Sequence, residues 1–232
     1  MKRELNADRT EDMDLYGCAK FEEINTKPDS TTKSKAAMLC TNCILSTSKF
    51  GGDAKAYISE NAFPKYVGYA NEGQMGTQYN VIGAATFGGI LMLPNIDLMN
   101  EYAAGTAQAP SYEAVGKYLR ARLFYGMTMQ MGDVPYSEAG QGKTHGNFTP
   151  AYDSQEDVFL GVLDALREAD DLFAQGAPFD GDPTIYAGDP DKWRRATNAF
   201  ALRILMELSK RVDDSKIDIK ARFAEIVNEG YL

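Results

Sequence analysis

The chain has 232 residues, 44% hydrophobic and 25% charged, which suits one globular domain with a substantial core or two small ones. Its net charge of −9 and pI near 4.7 exclude a nucleic-acid role, because phosphate contacts need clustered Lys and Arg. The same balance excludes simple electrostatic docking on anionic lipid, and no window of ~18 consecutive apolar residues marks a transmembrane helix.

Residues 1–32 read as a flexible leader. They begin with charged side chains and lack the apolar core of about 7–15 residues that a signal peptide carries. Within them, Leu15-Tyr16-Gly17-Cys18 is a loosely formed lipobox, the pattern at which bacterial lipoproteins are cleaved and acylated on cysteine. The alternative is that Cys18 is an ordinary free cysteine. A helix is expected over residues 33–49, with Ala36, Ala37, Cys40, Ile44 and Leu45 near one face. Cys40 and Cys43 form a C-x-x-C. With three cysteines and one histidine in the chain, no ordinary zinc ligand set is available, and the pair reads as small buried core residues.

Residues 50–80 are rich in Gly, Tyr and polar side chains and read as a long connection or a partly helical one. Part of 81–104 is helical, with Pro94 interrupting, kinking or starting a segment. A helix over 112–131 keeps Val115, Tyr118, Leu119, Leu123 and Met127 at helical spacing, and Gly132 stops it. Its Tyr125, Met127, Met129 and Met131 imply burial on more than one side.

The clearest helix covers 154–173. Phe159, Val162, Leu163, Leu166, Ala169 and Phe173 form an apolar stripe, opposite Glu156, Asp157, Asp164, Glu168 and Asp171. Ser154 with Asp157 resembles a capping box, and Gly176 is a suitable stop. The next helix starts at Asp189-Pro190, an acceptor for free N–H groups followed by a residue lacking that donor. It carries Trp193, Ala196, Phe200, Ile204 and Leu208 to Arg211. A last helix over 217–228 holds Ile219, Phe223, Ile226 and Val227 before Gly230. No run alternates apolar and polar residues long enough for a sheet, so the fold class is all-α, built of antiparallel helix pairs. The helix starts are spaced too irregularly for a strict tetratricopeptide repeat of about 34 residues.

Catalytic signatures are lacking: no G-x-S-x-G, H-E-x-x-H or P-loop pattern occurs. His145 lies in a Gly-rich loop beside no recognisable nucleophile. Asp180, Asp182, Asp189 and Asp191 could offer oxygens to calcium but lack EF-hand spacing, and loop and cap chemistry explains them. No metal site or cofactor is expected. The aromatic supply is more informative. Tyr57, Phe63, Tyr66, Tyr69 and Tyr79 fall in one polar segment with Asn71, Gln74, Gln78 and Asn80. Flat rings stack on sugar faces while amides fix hydroxyls, so Tyr57, Tyr66, Tyr69, Gln74, Gln78, Tyr79 and Asn80 are the candidate ligand-binding residues. The competing reading packs these rings against the helices. Trp193, on an apolar stripe, reads as core.

Three stretches carry a family resemblance. GDVPYSEA at 132–139, TPAYDSQEDVF at 149–159 and GDPDKWRRATNAFALRILMELSKR at 188–211, with its Asn198 and Arg203, resemble the SusD/RagB family of nutrient-binding outer membrane lipoproteins. Residues 21–26, FEEINT, resemble the segment that follows the acylated cysteine there. The match is good from about residue 112 onward, weak over 18–26 and general in between. It implies a divergent tetratricopeptide-like arrangement of helix pairs. It also implies non-enzymatic capture of an oligosaccharide or peptide at the cell surface, attachment to the membrane only through a lipid on Cys18, and delivery to a SusC-like TonB-dependent transporter. Family members are roughly double this length, so the chain reads as an N-terminal half: leader 1–32, then a helical domain 33–232. The visible export signal is missing from the pattern, which bears on localisation. The rivals are a helical protein–protein adaptor without glycan affinity and a glycoside hydrolase fragment.

Overall fold

A computed structural model describes residues 35–48, 61, 64–68 and 85–232. Cys18, Tyr57, Phe63, Tyr69, Asn71, Gln74, Gln78, Tyr79 and Asn80, and the leader over 1–32, lie outside the described residues.

Local chemistry sets the helix starts. The first helix, α1, is Ala36–Ser48. A 3₁₀ turn, Gly88–Met92, leads into α2, Leu93–Ala103, and Pro94 stands at its beginning, where a missing N–H costs nothing. The longest helix, α3, is Ala109–Met131, again with a proline in its first turn. Its end at Gly132 needs φ = +80°, a conformation that glycine adopts without strain. After a short helix α4, Gly142–His145, α5 runs Gln155–Gln175. Ser154 caps it by accepting from Asp157 N–H at 3.2 Å, and Asp133 accepts from Gln155 N–H at 2.8 Å. Together they satisfy two of the helix's free donors. Asp189 caps α6, Pro190–Glu207, through Asp191 N–H at 3.0 Å. A 3₁₀ turn, Leu208–Arg211, follows, and Asp218 caps α7, Ile219–Glu229. Seven α-helices and no strand occur among the described residues.

Consecutive helices pack as antiparallel pairs. The long α3 is the spine: α5 lies along it, α6 lies against α5, and α7 against α6, while α1 and α2 pack on each other and on α3. This explains why α3 buries residues around much of its circumference, including Tyr112, Ala114, Leu119, Ala121, Phe124 and Thr128. By contrast α5 buries one stripe, Val158, Phe159, Val162, Leu163, Leu166, Ala169 and Phe173, as its sequence spacing requires. Each such fully buried Leu, Val or Phe contributes roughly 1.5–3 kcal/mol relative to exposure.

Several apolar positions do not go where the stripes point. Leu45 is exposed, because α1 turns Ala36, Cys40, Cys43 and Ile44 inward and Leu45 falls outside that arc. Met129 is half exposed, since Met127 and Thr128 take the inward positions of that turn. Phe223 and Val227 are also exposed: α7 buries only Ile219 and Ile226. Gly176 ends α5 as expected, but with φ −77° and ψ 152° rather than left-handed. Its role there is close approach, because a Cβ would collide with the Ser111 hydroxyl of α3.

Candidate functional site

Of the candidate ligand residues, Tyr66 alone is described. The residue is 81% exposed, and its N–H donates to Asn61 O at 3.0 Å. The aromatic segment continues beyond the described part and becomes describable again at residue 85. There Phe87 meets Tyr152 edge to face, with ring centroids 6.1 Å apart and planes at 90°. Both rings are open, 38% and 63% exposed. Phe148, 80% exposed, projects from the same 132–154 connection.

The connection that carries Tyr152 is rigid for identifiable reasons. Val134 and Asp153 form an antiparallel bridge. The Asp153 carboxylate accepts from Tyr136 N–H and Ser137 N–H, each at 2.8 Å, and from the Ser137 hydroxyl. Burial alone would raise this carboxyl, but those three donors together hold it below its ordinary value. Glu138 accepts from Ala151 N–H and Asn147 Nδ2, both at 2.9 Å, and this pair of bonds lowers its pKa too. Arg120 donates to Tyr136 O at 2.8 Å and lies 5.0 Å and 5.4 Å from the Phe124 and Tyr136 ring centroids. Tyr136 covers Gly161 of α5, and a Cβ at Gly161 would collide with that ring. The connection is therefore braced to both α3 and α5, and it fixes the Tyr152 backbone beside Phe87.

The other flagged residues are placed differently. His145 is exposed at the end of α4, and its ring nitrogen lies 2.9 Å from the Thr144 hydroxyl. Asp182 accepts from Thr184 N–H, Gly188 N–H and Trp193 Nε1–H, each at 2.8 Å. Those donors occupy the oxygens that a cation would need. Trp193 is buried in a box of Phe173, Tyr118, Tyr186 and Phe179, so it is core. Cys40 and Cys43 are buried free thiols. Burial pushes the Cys43 thiol up to about 11 and the Cys40 thiol higher still, so neither is reactive at neutral pH.

Sequence reasoning did not find the Phe87–Tyr152 pair, because 65 positions separate the two residues (152 − 87). The available signal was an aromatic inside the short YDS stretch that opens α5.

A family model, SusD-like, described as "Starch-binding associating with outer membrane", matches residues 28–232. Solved structures agree. One is a SusD homolog from Bacteroides fragilis with 35% sequence identity, a TM-score of 0.79, and coverage of 86% of this chain and 41% of its own. A second SusD homolog from Bacteroides fragilis has 35% identity, a TM-score of 0.70, and coverage of 84% and 40%. A SusD/RagB family protein from Bacteroides thetaiotaomicron shares the fold, with TM-score 0.61 at 17% identity over 85% of this chain and 43% of its own. The helix pairs thus form a tetratricopeptide-like, SusD-like arrangement. The chain spans about two-fifths of the length of these solved relatives. No curated protein matches it.

Proposed function

Because the chain belongs to the SusD-like family, whose model covers residues 28–232, we propose that it binds an oligosaccharide at the outer membrane surface. In this reading it is non-catalytic and passes its ligand to a SusC-like TonB-dependent transporter, and an acyl group on Cys18 is its tie to the membrane. A peptide is the alternative ligand. The observation that carries the reading is the family match. The open rings Phe87 and Tyr152 support it locally, because exposed aromatic rings offer apolar surface on which a sugar can pack. Tyr66 and the Tyr57–Asn80 side chains named above complete the proposed binding set. All of these except Tyr66 fall outside the described residues.

The test is calorimetric titration with maltohexaose and a panel of other oligosaccharides. The Tyr152→Ala and Phe87→Ala variants are expected to weaken the best ligand by about tenfold each, which corresponds to about 1.4 kcal/mol. Tyr66→Ala and Tyr79→Ala are expected to weaken it too. Unchanged affinity in all four variants would discard this site. Absence of affinity for every glycan, together with tight capture of a soluble protein, would replace the reading with a helical adaptor.

A further inference from the structure

A cleft of about 350 Å³ opens where the end of α1, the middle of α3 and α6 meet. Its walls include Thr47, Arg122, Leu123, Tyr125, Phe200 and Arg203. Tyr125 and Phe200 pack edge to face beneath it, 5.2 Å apart at 88°, with Phe200 buried. Arg122 lies 5.6 Å from the Phe200 centroid, and Arg203 lies 5.9 Å from that of Tyr125. The cleft is also close to the open ring pair, since a Cβ at Gly89, two residues after Phe87, would fall 3.3 Å from Leu123 Cδ2.

The charge balance of this cleft is unusual for an acidic chain. Among the other described arginines, Arg167, Arg194, Arg203, Arg211 and Arg222 each pair with a carboxylate, while Arg120 donates to Tyr136 O and Arg195 to Leu232 O. Arg122 pairs with none among the described residues; its neighbours are the Phe200 ring and the Tyr118 hydroxyl. Arg203 shares its charge with Glu207 through Nε at 3.1 Å. The carboxylate is further engaged by the Tyr125 hydroxyl at 2.6 Å. Two guanidinium groups therefore face one carboxylate around this aromatic pair. A neutral hexose would leave the Arg122 fork without an anionic partner. A carboxylate borne on a sugar ring supplies that partner, because guanidinium binds carboxylate bidentately.

We propose that this cleft is a subsite for an acidic saccharide, one carrying uronate carboxylates, with Arg122 as its principal anion contact and Arg203 as the second. The proposal rests on the glycan-binding reading above and names the class of glycan. The test is calorimetry with trigalacturonate and, in parallel, neutral maltotriose, on the wild-type chain and on Arg122→Gln and Arg203→Gln. Trigalacturonate is expected to bind and to lose about tenfold or more with Arg122→Gln. Its affinity should also fall at about 0.5 M salt, which screens exposed charge. Equal trigalacturonate affinity in Arg122→Gln and wild type overturns the proposal, and so does binding of maltotriose or other neutral glycans without trigalacturonate. Both results leave the glycan-binding reading standing. Failure to bind any saccharide overturns the two together.

Discussion

Arg194 and Arg122 each lie over an aromatic ring, and they do so under opposite conditions. The Arg194 guanidinium is 3.6 Å from the Tyr231 centroid, and its Nε and Nη2 donate to the two oxygens of Asp170 at 3.0 Å each. The Asp170 side chain is only 2% exposed and also accepts from Asn198 Nδ2. Asn198 in turn reaches Tyr231 O at 3.0 Å. Arg122 lies over Phe200 without any carboxylate partner among the described residues. The difference is one of hydration. A charge withdrawn from water must be neutralised nearby, so Arg194 is fully engaged and acts as a joint among α5, α6 and Tyr231. Arg122 stays exposed, keeps its water, and can exchange that water for a ligand's oxygens.

The contrast can be broken first at its buried end. Asp170→Ala leaves the Arg194 guanidinium without its acceptor in the interior and takes one of two acceptors from the Asn198 amide, and should cost about 3–5 kcal/mol in urea denaturation. A loss under about 1 kcal/mol would mean that Arg194 is no more committed than Arg122. An intermediate case is Asp153, partly exposed and bonded to backbone donors. Asp153→Ala should cost about 2 kcal/mol by the same assay and should weaken glycan binding through Tyr152. Its carboxyl is held below the ordinary 3.8 in the folded chain. Its contribution is therefore complete above that value and is lost as pH falls from 3.8 toward the depressed one. Comparing wild type with Asp153→Asn in denaturation series from about pH 5 down to about pH 3 should show a shallower acid loss in the variant; parallel curves would remove the carboxylate from the brace. The smallest effect sharpens the comparison. Arg122→Gln should change stability by no more than about 0.5 kcal/mol, and a drop matching that of Asp170→Ala would make Arg122 structural.

Much of the helical frame was legible because its signals are local. Pro94 at the start of α2, Ser154 before α5 and Asp189-Pro190 before α6 each act within one turn. The α5 stripe predicted its buried face because a single neighbouring layer covers it. Where the covering element decides, sequence said less. Leu45, Phe223 and Val227 look as apolar as Ile44 and Ile226, and only the absence of an opposing helix among the described residues leaves them exposed. The functional surface was the least legible part. GDVPYSEA was read as a family signature, but its physical role is to supply donors to Asp153, the residue just before the cap of α5. Phe87 meeting Tyr152, and Arg122 meeting Phe200, depend on tertiary juxtaposition that no spacing rule encodes.

The collision waiting at Gly161 carries a consequence for how sequences of this kind can drift. Because the Tyr136 ring occupies the space a side chain would need there, position 161 is not free to change while the ring stays. Any chain that acquires a methyl at 161 must first shrink the ring at 136. A smaller residue at 136 would forfeit its packing on Phe124 and beside Arg120. A homologue that has lost the glycine should therefore have lost the tyrosine as well.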